Sequence, residues 1–253
     1  MQGIMNSVSD AFNLPMEETE RTFRRGMELA TVTIVATLLL EFFSLDTTRV
    51  LYAKDKVLYL QAVALNFINH YMYGIPVYVA ATLCFLRNVD SHYSRGMVAL
   101  QVIEICTIHS ICYYQVHKFF HICPGYYKYH KFHHRFHYHV TPMTANAVGP
   151  VEYLVAYILP FALAGAMVHP YEDSQRIALY LISLCNLLIH TPTLEAWSQR
   201  NIPFFWVSTH DHLEHHKKLT VHYGAPTWNM DWIVEQWMGN KTTTIHNNEL
   251  REE

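Results

Sequence analysis

Thirteen of the 18 histidines in this 253-residue chain fall in two short windows, eight from His109 to His139 and five from His210 to His222. Their spacing says more than their number. His117 and His121 are four apart, His130, His133 and His134 form an i, i+3, i+4 set, and His212, His215 and His216 repeat that set 82 residues downstream. On an α-helix, residues three and four apart share a face, so each group can aim two or three imidazoles at one point. Neutral imidazole suits Fe, Zn, Cu and Ni better than Mg or Ca. A tetrahedral zinc takes four ligands and a mononuclear oxygenase iron takes two His and a carboxylate, so eight imidazoles imply two metal ions.

Two other readings use the same residues. A metal-transport or metal-buffering membrane protein carries flexible His tracts for exchangeable ions, and Phe136 to His139 has that alternating look. Against it, the spacing recurs, the sets lie in aromatic and apolar context, and no acidic residues pair across the apolar segments. A zinc-dependent membrane hydrolase would need the metal but no O₂.

The elements that must hold these residues are apolar. Charged residues make up 15% of the chain, against about 25% in soluble domains, and apolar ones 51%, so much of the surface is expected to meet lipid. A net charge of -3 leaves no footprint for nucleic acid. Five cysteines without a CxxC pair argue against a disulfide framework or a thiolate zinc site and fit a reducing compartment. The charged stretch Met16 to Arg25 ahead of the first apolar run argues against a cleavable signal peptide, leaving that run to direct insertion.

With no linker or repeat, the chain reads as a polar N-terminal tail over residues 1–26 and one membrane-embedded unit over 27–253, its catalytic part about 100–240. Residues 29–45 are near the lower length limit for crossing ~30 Å of hydrocarbon. Residues 57–86, interrupted by Asn66, Asn69 and His70 and broken by Gly74 and Pro76, form one kinked span or a re-entrant pair. His70, in mid-membrane, is either functional or a satisfied packing residue. Residues 97–116 deliver His117, and residues 148–168 and 177–190 make a hairpin around Pro170, Glu172 and Asp173. Two crossings return the chain to the side it left, so His190 can join the first cluster. Lys118, Lys128, Lys131 and Arg135 follow His117, whereas the turn from Pro170 to Gln175 has no basic residue, which puts the histidines in the cytosol. Phe204, Phe205, Trp206, Trp228, Trp232 and Trp237 suit either an interfacial cap or a buried core. The expected fold is all-α: a polytopic membrane protein of about four transmembrane helices, with a cytosolic histidine-rich helical cap holding a dinuclear metal site.

His117-Lys-Phe-Phe-His121, His130-Lys-Phe-His133-His134 and His212-Leu-Glu-His215-His216 resemble the HxxxH, HxxHH and HxxHH boxes of the fatty acid hydroxylase/sterol desaturase superfamily, in that family's order and with its hydrophobic hairpin between the second and third. Tyr129-His130-Lys131, Thr141-Pro142, Gly149-Pro150-Val151-Glu152 and His222-Tyr223-Gly224 with Trp228 and Asp231 extend the likeness over about Ile103 to Met238. Three features depart from the sterol-acting members and weigh against a sterol substrate. Thr191-Pro192-Thr193 follows His190, His109 or Ser110 stands where an acidic residue is usual, and His222 stands where Asn is usual.

The resemblance implies a non-haem di-iron oxygenase of lipid biosynthesis in the endoplasmic reticulum membrane, hydroxylating or desaturating a fatty-acyl or sterol C–H bond with O₂. Its cofactor would be two Fe ions, zinc being able to replace them in a purified form. No haem or flavin signature is present, so electrons would come from cytochrome b5 and its NAD(P)H reductase. By the same likeness His190 is a ninth ligand and Asn186 a tenth. His137, Glu152, His210, Asp211 and Glu214 are candidates to hydrogen-bond ligand imidazoles and fix their tautomers.

Overall fold

Lipid offers no partner to a backbone N–H or C=O, so a chain this apolar has to close its hydrogen bonds within helices. The computed structural model describes residues 16–85 and 93–239 and has no strand among them. Residues 1–15 of the expected tail, the end of the second apolar segment at Leu86, and 240–253 lie outside the described residues.

Helix α1 (Met16–Phe43) leads through α2 (Leu45–Lys54) to α3 (Lys56–Phe67). A π-helical stretch, Ile68–Gly74, carries α3 into α4 (Ile75–Phe85), so the chain stays helical through Gly74 and Pro76. Helix α5 (Arg95–Ile122) is capped by Ser94 Oγ, and α6 (Pro124–His130) follows directly. Helices α7 (Pro150–Val168) and α8 (Glu172–Ile189) form the hairpin. Short helices α9 (Glu195–Asn201), α10 (Thr209–Lys218) and α11 (Met230–Met238) complete the order.

Helices α1, α5 and α7 are long and apolar enough to cross a membrane, and α8 joins them when taken with the segment Pro192–Asn201, bent from it by 81°. Exposed Leu38, Leu39, Phe42, Met72, Ile103, Leu159 and Met167 are what lipid-facing positions require. Between helices the core is tight where residues are small: Ala164 and Ala178 pack beside Ile105, Cys106 and Phe161 where α5, α7 and α8 meet.

Polar side chains mark two ends. At one, Arg25 pairs with Glu172, Tyr93 donates to Asp173 at 2.6 Å and stacks on Tyr171, and Gln101 Oε1 accepts from the Tyr171 amide at 3.0 Å and the Ser174 hydroxyl at 2.8 Å. At the other, which is the histidine end, Glu41 accepts from the Met143 amide at 2.8 Å and from Thr48 at 2.7 Å. There Asn66 donates to the Met143 carbonyl, and Asn69 to those of Asn146 and Val148. The N-terminal path is thereby ordered: α1 passes toward the histidine end, α3–α4 away from it, and α5 back. Residues 16–26 of the expected tail are the first turns of α1, with Glu17 and Glu18 in its first turn, where negative charge complements the helix dipole.

Candidate metal centre

The two helices that carry two-residue and three-residue histidine sets do so as the spacing predicts: His117 and His121 lie on α5, and His212, His215 and His216 on α10. The second box differs. His130 ends α6, and His133 and His134 lie in a 3₁₀ turn, His133–Phe136, because the chain leaves the α-helix at Lys131. His190 sits just past the end of α8.

Nine imidazoles converge in two groups. His117, His121, His130, His134 and His215 form one, His133, His190, His212 and His216 the other, and within each group one ring nitrogen per residue lies within 4.8 Å of all the rest. The groups abut, with the His134 and His216 rings 4.8 Å apart and those of His133 and His134 5.6 Å apart. Each HxxHH box therefore straddles the pair. His130 and His134 turn to the first group and His133 to the second, while His212 and His216 turn to the second and His215 to the first. A residue and its i+4 neighbour stay on one side, and the i+3 residue falls on the other.

The nitrogens facing away from the centre fix the tautomers. His117 Nδ1 donates to the Tyr223 carbonyl at 2.8 Å, His215 Nδ1 to that of Val221 at 2.7 Å, His190 Nδ1 to that of Asn186 at 2.7 Å, and His130 Nδ1 to Glu152 Oε1 at 2.6 Å. Each Nε2 is then a bare lone pair. His117 Nε2 and His130 Nε2 lie 3.0 Å apart, so two lone pairs face each other, an arrangement that repels unless positive charge sits between or beside them. His215 Nε2 and both nitrogens of His216 are buried without a partner among the described residues, as are Nδ1 of His133, His134 and His212. Buried polar atoms are otherwise nearly always satisfied. Burial, followed by the neighbouring imidazoles, pushes the pKa of His130, His133, His134, His212, His215 and His216 well below the ordinary value, so all six stay neutral and ready to ligate. The donor set, the burial and the opposed lone pairs fit two cations.

The remaining expected residues are placed as follows. Glu152, buried in the first turn of α7, is hydrogen-bonded to His130. Asn186 offers His190 its backbone carbonyl, while its side-chain amide donates to Asn146 Oδ1 at 3.1 Å. Asp211 and Ser208 bond reciprocally in a capping box at the start of α10. Glu214 pairs with Lys217 and Lys218, and His210 faces Glu195 at 3.4 Å. His137 is exposed beside Tyr138, because its φ of 38° turns the chain out of the 3₁₀ segment.

Sequence reasoning missed the backbone acceptors. Tyr223 and Val221 follow α10 in a strap that Ser110, bonded to Thr227 at 2.6 Å, and Thr107, which accepts from Trp228 Nε1, hold against α5. Gly224 is required there, since a Cβ would lie 2.9 Å from the Met230 amide nitrogen. Its own N–H donates to Asp231, so the His-Tyr-Gly and Trp-Asp signals are two ends of one fastening.

No solved structure matches the chain. The sequence model of the fatty acid hydroxylase family matches residues 102–236, more than half of the chain and the stretch that supplies all nine converging imidazoles, Glu152 and the strap. This chain belongs to the fatty acid hydroxylase family, within the fatty acid hydroxylase/sterol desaturase superfamily.

Proposed function

We propose that this protein is an O₂-dependent lipid hydroxylase or desaturase, acting on a fatty-acyl or sterol C–H bond at two irons. Its ligands are His117, His121, His130, His134 and His215 on one side and His133, His190, His212 and His216 on the other. The observation that carries this reading is the opposed Nε2 lone pairs of His117 and His130, 3.0 Å apart in a buried cluster of neutral imidazoles. When bound, the irons supply the oxidant for an unactivated C–H bond from O₂ and two electrons. The chain's own part is positional. The carbonyls of Tyr223, Val221 and Asn186 and the Glu152 carboxylate hold four rings in one tautomer, and Tyr113, Phe120, Ala156, Ile189 and Val207 pack an apolar floor that keeps water out. The reading places the protein in the endoplasmic reticulum membrane with the histidine end in the cytosol, where cytochrome b5 and its reductase would deliver electrons.

Metal analysis of the purified protein tests it together with O₂ uptake on added lipid. Two tightly held ions per chain and O₂-dependent turnover are expected, both lost in His133→Ala and His215→Ala. Turnover under argon would favour a zinc hydrolase, and loosely held ions with uptake into vesicles a transporter.

A further inference from the structure

At the end away from the histidines, a groove of about 620 Å³ runs between α5 and α8 on the outside of the bundle. Its floor is made of two helical stripes. Val98, Ala99, Val102 and Ile103 lie three, four, seven and eight residues after Arg95 on α5, and Ile177 lies four after Asp173 on α8. Each helix therefore turns one apolar face to the groove and sets one charge at its mouth. Ile103 and Ile177 are exposed, as positions that meet lipid tails should be.

The two charges are opposite, and the protein leaves both available. Arg95 is exposed, has no ion pair among the described residues, and stands in the first turn of α5, which holds no acidic residue. A cation there meets the positive end of the helix dipole, where an anion is favoured instead. Arg95 thus does nothing for its own helix. Asp173 Oδ2 accepts from Tyr93 at 2.6 Å, while Oδ1 lies 3.8 Å from Arg176, too far for a hydrogen bond. An ionised carboxylate offers about four lone-pair sites, so Asp173 can accept more.

Such a surface suits an amphiphile that carries an anion and an N–H cation in one headgroup. The guanidinium fork matches phosphate oxygens, and a primary ammonium, with three donors, matches the free side of Asp173. We propose that the groove binds phosphatidylethanolamine, with its phosphate on Arg95, its ammonium on Asp173 and an acyl chain along the α5 stripe. Phosphatidylcholine has no N–H for the carboxylate, and phosphatidylglycerol has no cation. The site is separate from the metal centre and does not depend on the reaction proposed there. Because α5 carries His117 and His121 and α8 leads into His190, the lipid ties together two helices that position ligands.

Native mass spectrometry of the full chain, released from detergent with each of these three lipids in turn, counts lipid and metal on the same ions. One phosphatidylethanolamine per chain is expected at about a tenth of the concentration the other two need, the worth of one hydrogen bond to a charged group. Asp173→Ala should bring phosphatidylethanolamine down to the level of phosphatidylcholine, Asp173→Lys should turn the preference to phosphatidylglycerol, and Arg95→Gln should weaken all three. Metal content should not change in any of them. Equal affinity for the three lipids in the wild type, or a preference that survives both Asp173→Ala and Arg95→Gln, would overturn the proposal. So would dimers broken by Arg95→Gln and not by added lipid, which would give the groove to a second copy of the chain. Should Asp173→Ala fail to fold, the wild-type ranking and Arg95→Gln decide.

Discussion

Glu152 is the residue whose chemistry is most exposed to a single-atom change. Its Oε1 accepts from His130 Nδ1 at 2.6 Å with both groups buried, so Glu152→Gln keeps the shape and an accepting oxygen but replaces the carboxylate by a neutral amide, which holds the ring less strongly. Loss of such a partner costs about 10–100-fold in metal affinity or activity; full metal content and turnover in the glutamine variant would contradict its role. Acid is the second test at this scale. The six cap histidines bind protons less readily folded than unfolded, because burial holds their pKa below the ordinary 6.5. Their contribution to stability is therefore complete above about pH 6.5 and is lost as pH falls below it. Chelator-treated protein should melt at a lower temperature at pH 5.5 than at pH 7.5; identical Tm values would count against it. The imidazoles were legible in the sequence because their side chains do the chemistry. The carbonyls of Tyr223, Val221 and Asn186 were not, since any residue carries one and only the path of the chain selects which is used.

Among the elements, the helices follow from apolar runs and their caps, and most fall where the sequence puts them. The second box is the exception. Spacing of i, i+3, i+4 implies one helical face, yet the chain passes from α6 into a 3₁₀ turn between His130 and His133, a change of pitch that leaves no mark in the spacing. Nor does the spacing disclose that each box splits between two groups. Polar residues inside apolar runs were ambiguous for a related reason: Glu41, Asn66 and Asn69 bind the backbone of residues 143–148, far away in sequence. The strap after α10 can be tested at Gly224. Gly224→Ala forces a Cβ against the Met230 backbone and displaces the carbonyl that holds His117, so activity should fall at least tenfold while the helix content by circular dichroism is kept; wild-type turnover would show the strap to be slack.

For the whole molecule, parity was the least legible feature. Composition cannot say which of three N-terminal segments crosses, whereas Arg25 with Glu172 and Gln101 with Ser174 at one end, and Glu41 with Met143 and Asn69 with Val148 at the other, orient α1, α3–α4 and α5. The proposed cytosolic histidine end then has a direct check. A protease tag inserted at residue 172 in microsomes should be protected from added protease and one near residue 140 cleaved; the reverse pattern would turn the protein over. Helix α5 spans between these ends as one uninterrupted rod of 28 residues, with His109 and His117 on it. At 1.5 Å per residue such a rod is about 42 Å long against roughly 30 Å of hydrocarbon, so a helix that starts flush with one face of the bilayer carries His117 and His121 past the other, into the headgroup zone.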